Sequence, residues 1–155
     1  MILTKEELAR LTIDEVWTRG KIDRIPEFYT EDFKAHQPKP RLNWTGMTRL
    51  ATWTGHQGLT EVVTAVRSIC PDYTETPQLV VSSGDMVAMR MINRGTHTGR
   101  AVGRFPASGR SFEAIDTMFV RISDGRIAEQ WGLFDTYAVC TQLGFIEASE
   151  LLANE

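Results

Sequence analysis

The fold class of this chain is decided by residues 112–134, which read FEAIDTMFVRISDGRIAEQWGLF. In Phe112–Ile122 apolar residues alternate with others, and this period of two is typical of a β-strand with one buried face. Ser123–Arg126 contains Asp-Gly, a strong signal for a hairpin turn, and Ile127–Phe134 is the returning strand. The stretch predicts a long antiparallel hairpin, whose mostly apolar face consists of Phe112, Ala114, Asp116, Met118, Val120 and Ile122.

The segments before this hairpin supply further strands and, near the start, helices. Leu79–Val81 and Met86–Asn93 are extended and are joined by the turn Ser83–Asp85. Apolar residues recur at helical spacing in two other stretches, and Thr4 and Glu7 form a capping box before the first. The predicted N-terminal elements are a helix over Lys5–Arg19, a short helix over Asp23–Tyr29, a short strand over Phe33–His36 and a helix over Gln57–Cys70. Helices followed by a meander of long strands predict an α+β fold, with the sheet curled around the helices.

Length and composition restrict the class of protein. The 155 residues predict one domain spanning 1–155. Hydrophobic residues make up 42% and charged residues 24%, which excludes a disordered chain. The net charge of -3 argues against nucleic acid as a partner, and no apolar run approaches the ~20 residues that a membrane span needs. The start lacks the pattern of a secretion signal and the two cysteines form no CxxC pair, so we expect a cytoplasmic protein with reduced thiols.

Several short motifs add a family resemblance. In chain order they are Gly84–Ala88, Gly95–Gly99, Phe105–Arg110, Asp124–Ile127, Glu129–Trp131, Asp135 and Gln142–Gly144. With this order and spacing the chain resembles the SnoaL-like polyketide (ester) cyclase family over Thr4–Gly144, and its element order resembles the nuclear-transport-factor-2-like cone. The resemblance implies a cone-shaped, curved mixed sheet wrapped around N-terminal helices, in a homodimer that pairs through the open sheet face. It also implies ring closure of a small-molecule substrate by intramolecular aldol condensation, through acid–base chemistry in the cone's pocket without metal or organic cofactor.

The residues that carry catalysis in the family are only partly matched. With the chain aligned on the turn Asp124-Gly125, the family's acid–base aspartate falls at Gly132 and a pocket histidine falls at Met118. Neither residue can transfer a proton. The family's pocket glutamine falls at Asp116, which can. More distant ester-cyclase-like relatives are similar at His36, His97, Asp116, Trp131 and Asp135.

Asp116 is the strongest catalytic candidate on the residues themselves, because it is the single carboxylate on a mostly apolar strand face. Burial disfavours a charged carboxylate and raises its pKa, which suits a general acid or base. The alternative is a structural ion pair with one of the nearby arginines, since such pairs also perturb carboxylates.

Three further residues are candidates for catalysis. His97 ends a strand in a glycine-rich stretch, where it either carries a proton in the pocket or marks a strand-end turn. Asp135 is either a second acid–base group or the N-cap of a helix over 136–143. His36 closes the short first strand, at the mouth of the cone or on the surface. No HxH or HExxH spacing occurs, so no metal site is predicted.

The segment Pro40–Gly55 has no clean helical or strand period and contains Trp44, Met47 and Trp53. Segments of this length are often lids, and two tryptophans suit a flat apolar ligand. The alternative is ordinary packing of the segment onto the sheet. The predicted substrate-binding residues are Trp44, Trp53, Met118 and Trp131.

Two functions remain open from the sequence. The first is cofactor-free acid–base catalysis, a cyclisation or isomerisation of a small apolar molecule that carries a carbonyl. The second is a non-catalytic domain of the same fold that binds a hydrophobic ligand or dimerises. The outward strand positions Ile115, Thr117 and Phe119 would leave apolar groups in water, which favours a homodimer in either case.

Overall fold

The computed structural model describes residues 3–36, 45 and 52–147. Its helices are α1 (Lys5–Thr12), α2 (Ile25–Phe28), α3 (Gly55–Ile69) and α4 (Thr136–Gln142), with a 3-10 turn at Ile22–Arg24 before α2. Its strands are β1 (Tyr29–His36), β2 (Thr52–Thr54), β3 (Thr74–Ser83), β4 (Met86–Thr96), β5 (Ser111–Ser123) and β6 (Arg126–Phe134). The α+β prediction is confirmed.

The predicted first helix is present but changes its winding. Thr4 and Glu7 form the capping box, in which each side chain accepts a hydrogen bond from the other's backbone N–H. After α1 the chain continues as a π-helix over Ile13–Thr18, in which the backbone hydrogen bonds span one residue more than in an α-helix. This wider turn ends beside Trp17, whose buried indole N–H donates to the Tyr29 hydroxyl at 3.0 Å. This hydrogen bond anchors the helical segment to the first strand.

The strands form one curved mixed sheet in the order β2-β1-β6-β5-β4-β3. β1 and β6 are parallel, and the other neighbours are antiparallel. The β5–β6 turn has the predicted form, since Asp124 and Gly125 have φ values of 49° and 71°, as a type I′ turn requires. β3 begins at Thr74, well before the predicted Leu79, and includes Pro77 next to a register shift. The proline is tolerated because β3 is an edge strand.

The two faces of the sheet differ in exposure. On β5 the predicted apolar face is buried throughout, whereas Ile115 and Phe119 on the other face are exposed. On β6 a register shift opposite Arg121–Ile122 interrupts the alternation. Beyond it Gln130 is buried and Trp131 is exposed. The shift decides which β6 residues face inward, a question that alternation left open.

The helices cover the inner face of the sheet. One core cluster joins Ile13 of the π-helix and Leu59 of α3 to Met89 and Val120 of the sheet. A second cluster joins the end of α3 to α4 and to Tyr73, beside β3. Each large apolar side chain buried in this way contributes roughly 1.5–3 kcal/mol of stability. The inner face of β4 and β5 is therefore enclosed by packed side chains.

Candidate active site

Asp116 lies on the inner face of β5. Its register partners are Met91 on β4 and Phe134 on β6, and it is 8% exposed. Oδ2 accepts a long hydrogen bond of 3.5 Å from Asn93 Nδ2, and Oδ1 has no hydrogen-bond partner among the described residues. No arginine in the described part of the chain forms an ion pair with it. The structure therefore shows no ion pair between Asp116 and a described arginine, and the buried Oδ1 is left without a hydrogen-bond partner there.

A series of buried polar groups connects Asp116 to the edge of the sheet. Asn93 Nδ2 donates to the Tyr73 hydroxyl at 2.9 Å, and this hydroxyl donates to Glu75 Oε1 at 2.7 Å. Glu75 and Asn93 are register partners on β3 and β4, and both are buried. Within the described residues, Glu75 Oε2 and Asn93 Oδ1 have no hydrogen-bond partner. We call Glu75, Tyr73, Asn93 and Asp116 the carboxyl network, because it has a carboxyl group at each end.

Burial shifts the pKa of both carboxyl groups upward. It raises the pKa of Asp116 to about 7, against the lowering effect of the Asn93 amide and the Thr117 backbone N–H. It raises the pKa of Glu75 to about 8, and the nearby charge of Asp116 raises it further, against a lowering effect of the Tyr73 hydroxyl. Burial likewise holds the pKa of Tyr73 well above its usual range. Both carboxyl groups therefore change protonation state near neutral pH, which is the range where acid–base catalysts operate.

Sequence reasoning missed Glu75, Tyr73 and Asn93 because β3 begins earlier than its apolar residues indicate. Two signals were present in the sequence. Tyr73 and Glu75 are two residues apart, as are neighbours on one strand face. Asn93 continues the inward parity of Met89 and Met91 on β4. Each signal is weak without the strand register, which brings these residues to Asp116.

Methionine lines the inner face beside Asp116. Met118 is buried on the same face and lies opposite Gly132, where the resemblance places the family's acid. Farther along β6, Gln130 is 1% exposed, and its Oε1 has no hydrogen-bond partner among the residues the structure describes. The structure therefore places Met118, a predicted substrate-binding residue, two residues from Asp116 on the same buried face of β5.

His97 is fully buried, but its contacts lie beyond the end of β4. Its Nε2 is 2.9 Å from the carbonyl oxygen of Arg100, and its ring meets the edge of Phe145 at a centroid distance of 5.5 Å. Its Nδ1 has no hydrogen-bond partner in the described ranges. The observed contacts attach His97 to the glycine-rich segment and to the chain after α4, and none of them joins it to Asp116.

His36 and Trp131 lie on the outer face of the sheet, away from Asp116. Their rings stack at 5.1 Å with an interplanar angle of 12°. His36 Nε2 is 3.0 Å from Glu129 Oε2, and Glu129 also pairs with Arg121. The structure brings these two predicted site residues together with each other, on the surface opposite the carboxyl network.

Asp135 is exposed and caps α4. Its carboxylate accepts a hydrogen bond of 2.9 Å from the backbone N–H of Ala138. Such a cap satisfies one of the unpaired N–H groups at a helix start. The structure thus shows the capping alternative for Asp135 and places its carboxylate at a helix terminus.

Trp53 is a core residue of β2. It is 6% exposed, and its ring lies 5.8 Å from that of Trp17 and 6.0 Å from that of Phe33, between centroids. This is the packing alternative for the end of the segment Pro40–Gly55. Trp44, Met47 and most of that segment lie outside the described residues, so a lid there stays a prediction.

The described residues contain neither a cluster of metal-ligating side chains nor a membrane-spanning helix. Within residues 3–36, 45 and 52–147, no three His, Cys, Asp or Glu side chains are grouped so that they could hold a metal ion. Among the helices in those ranges, none is both long and apolar enough to cross a membrane.

Comparisons with known proteins agree with this architecture. The family model of the SnoaL-like polyketide cyclases matches residues 7–143. The structure of IdmH from Streptomyces antibioticus, a candidate polyketide cyclase, is 31% identical over 88% of this chain and 95% of that chain, with a TM-score of 0.71. A candidate polyketide cyclase from Bacillus cereus ATCC 10987 is 26% identical over 93% of this chain and 87% of that chain, with a TM-score of 0.70. No curated protein matches the sequence.

A third structure supports the fold alone. A candidate polyketide cyclase from Acidithiobacillus ferrooxidans is 20% identical over 94% of this chain and 98% of that chain, with a TM-score of 0.76. The resemblance inferred from the sequence motifs is confirmed by the family match and the fold. The chain belongs to the SnoaL-like polyketide cyclase family.

Proposed function

We propose that this protein catalyses proton transfer at carbon in a small apolar molecule that carries a carbonyl, with Asp116 as general acid or base. The observation that carries the proposal is the buried Asp116 carboxyl, whose Oδ1 lacks a partner among the described residues and whose pKa is raised to about 7. A general base is most effective when its pKa lies near the working pH. Aldol cyclisation and isomerisation both begin with removal of a proton next to a carbonyl, so one carboxylate serves either reaction. The step needs no cofactor.

Asp116 lies close to Gly132, the position at which the family's pattern has its acid–base aspartate. Asp116 pairs with Phe134, and Gly132 lies two residues along β6 from that partner. Diagonal neighbours on one face of an antiparallel pair are about 7–8 Å apart. A carboxyl group at either position would therefore reach a similar part of the interior. We infer that Asp116 takes over the proton transfer for which the family's pattern has an aspartate at Gly132.

Hydrogen–deuterium exchange at carbon tests this proposal for both cyclisation and isomerisation, because both begin with the same proton removal. The protein is incubated in D₂O with aryl ketones such as 2-acetylnaphthalene and with aryl acetic esters, and exchange next to the carbonyl is followed by proton NMR. We expect the wild type to accelerate exchange for at least one compound. Asp116→Asn should reduce that acceleration by about 10²-fold or more, the usual contribution of a general acid or base.

The matched control is Glu113→Gln. Glu113 is an exposed carboxylate on the outer face of the same strand, where it pairs with Arg94. The same change of carboxylate to amide should leave the exchange rate unaltered there. An Asp116→Asn protein as active as the wild type would contradict the proposal. Binding of these compounds by the wild type in calorimetry, without any acceleration of exchange, would identify a ligand-binding domain instead.

We also propose that two copies of the chain pair through the outer face of the sheet. Support comes from large apolar side chains that are exposed on β3, β5 and β6: Leu79, Val81, Ile115, Phe119, Trp131 and Leu133. Monomers rarely expose contiguous apolar patches of more than a few hundred Å². A homodimer would bury this face and leave the carboxyl network on the inner face unchanged.

The cysteines support a cytoplasmic location for this activity. Cys70 and Cys140 are both free and buried, and burial raises the pKa of each thiol. Unpaired thiols of this kind are usual in reducing compartments. We therefore propose that the protein acts in the cytoplasm.

A further inference from the structure

We propose that Glu75 is a positioning residue for Asp116, which acts through Tyr73 and Asn93, and that the two carboxyl groups take up protons as one coupled pair. The inference rests on the proposed function of Asp116. It extends the site from one strand to three and gives a role to the three residues that sequence reasoning missed.

The sheet register brings Glu75, Asn93 and Asp116 together, and Tyr73 directly precedes β3. Glu75 on β3 lies opposite Asn93 on β4, and Asp116 on β5 lies opposite Met91, two residues from Asn93. All three polar residues face the interior and are buried. The position of Glu75 is held at the backbone as well. Its N–H donates to Thr18 Oγ at 2.9 Å, and the same hydroxyl donates to its carbonyl at 3.0 Å. The end of the π-helix therefore fixes the start of β3.

The donor and the acceptor of each hydrogen bond in the carboxyl network can be assigned. Tyr73 has a single O–H, which it donates to Glu75, so its oxygen accepts from Asn93. The Asn93 amide has two N–H groups, one directed at Tyr73 and the other at Asp116. The amide nitrogen, and not its oxygen, therefore faces the Asp116 carboxylate. A donor in this position favours the ionised form of Asp116. Glu75 thus orients the amide that stabilises the catalytic base.

The two carboxyl groups also interact through their charges. Both are enclosed in a medium of low dielectric constant, where ionisation of one disfavours ionisation of the other. Glu75 is the more deeply buried and the charge of Asp116 raises its pKa further, whereas the Asn93 amide and the Thr117 backbone N–H both lower the pKa of Asp116. Asp116 therefore loses its proton first and Glu75 second. Between the two steps the pair holds one proton, and the charge lies mainly on Asp116. Such a pair titrates with values that belong to both groups together.

Among the described residues, the other titratable groups near Glu75 do not neutralise its charge. Tyr29 on β1 and Tyr73 both feel its charge, and the pKa of each hydroxyl is held far above neutral by burial. Arg67 on α3 directs its Nη1 at the carbonyl oxygens of Thr18 and Tyr73, at 2.6 Å and 3.0 Å. Within the described residues, Arg67 forms no ion pair with Glu75. In the part of the chain that the structure describes, Asp116 is therefore the group whose charge affects Glu75 near neutral pH.

Carboxyl titrations of the free protein test the coupling without any substrate. Protein with ¹³C-labelled Asp and Glu carboxyl groups is titrated by NMR from pH 4 to pH 10. We expect the midpoint of Glu75 to fall by about one pH unit in Asp116→Asn, because the neighbouring negative charge is lost. In Glu75→Gln, which can still accept the Tyr73 hydrogen bond, the Asp116 signal should change from two inflections to one. In Tyr73→Phe the Asp116 midpoint should rise, because the amide is no longer held with its nitrogen toward the carboxylate.

The controls separate coupling from general loss of structure. Glu113→Gln should move neither midpoint. In the exchange assay, Glu75→Gln should shift the pH–rate profile, whereas a merely structural role would lower the rate at every pH equally. A Glu75 midpoint that is unchanged in Asp116→Asn would overturn the inference, as would an Asp116 curve that is unchanged in Glu75→Gln. Coupled titrations with full exchange activity in Asp116→Asn would instead refute the proposed function alone.

Discussion

Replacement of Asp116 by asparagine should change how the stability of the protein depends on pH. The pKa of Asp116 is raised by burial from its ordinary value to about 7. Between these two values the folded protein keeps a proton that the unfolded chain has lost. The folded state therefore binds more protons in this window, and the free energy of unfolding falls as pH rises through it. Asparagine has a similar shape and no charge, so its folded state lacks this penalty.

The size of the effect follows from the width of the window. At pH 5 the unfolded carboxyl is already ionised, and the folded one stays protonated to about pH 7. Each pH unit of that difference corresponds to about 1.4 kcal/mol, so the wild type should lose about 3 kcal/mol through Asp116 between pH 5 and pH 8. Loss of the Asp116 charge should also lower the pKa of Glu75. Glu75 then makes the stability of the variant less dependent on pH, which widens the difference between the variant and the wild type.

Urea unfolding at pH 5 and pH 8 measures this difference. With a urea m value of about 2 kcal/mol/M, the wild-type midpoint should fall by about 1.5 M more than the variant midpoint between the two pH values. Glu113→Gln should follow the wild type, because its carboxylate is exposed and paired with Arg94 on the outer face. If Asp116→Asn and the wild type lose the same stability over this range, the carboxyl is not buried in its protonated form and the reasoning fails.

Three further predictions follow from the positions of the other candidate residues. Asp135→Ala should cost about 1 kcal/mol of stability in urea unfolding, because the Ala138 N–H loses its cap. The exchange of protons at carbon should stay intact, and a large loss of activity without loss of stability would instead indicate a catalytic role. Trp53→Ala should cost about 3–5 kcal/mol, because it empties a site in the core; a stability close to that of the wild type would contradict the packing role. Phe119→Lys places a charge on the exposed apolar face and should convert a homodimer to monomers, as measured by sedimentation velocity at micromolar concentration. A wild type that already sediments as a 17.5 kDa monomer would rule out the dimer.

The sequence by itself determined the features that depend on local pattern. Strict alternation in Phe112–Ile122 placed Asp116 on the buried face of β5, and the Asp-Gly turn set the hairpin with β6. The capping box at Thr4 and the order of helices before strands were also visible in short stretches. These features have in common that neighbouring residues decide them: side chains alternate along a strand, and turns need particular backbone angles.

The tertiary structure decided every feature that depends on pairing between distant segments. The register shift beside Arg121–Ile122 placed Gln130 inward and Trp131 outward, which alternation along β6 does not predict. The pairing of β3 with β4 brought Glu75 opposite Asn93 and so to Asp116, across a sequence separation that no local pattern spans. A residue's partners across a sheet are set by register, and register follows from how whole strands bury their faces against the core. The first carboxyl of the site was therefore visible in the sequence, whereas the second required the fold.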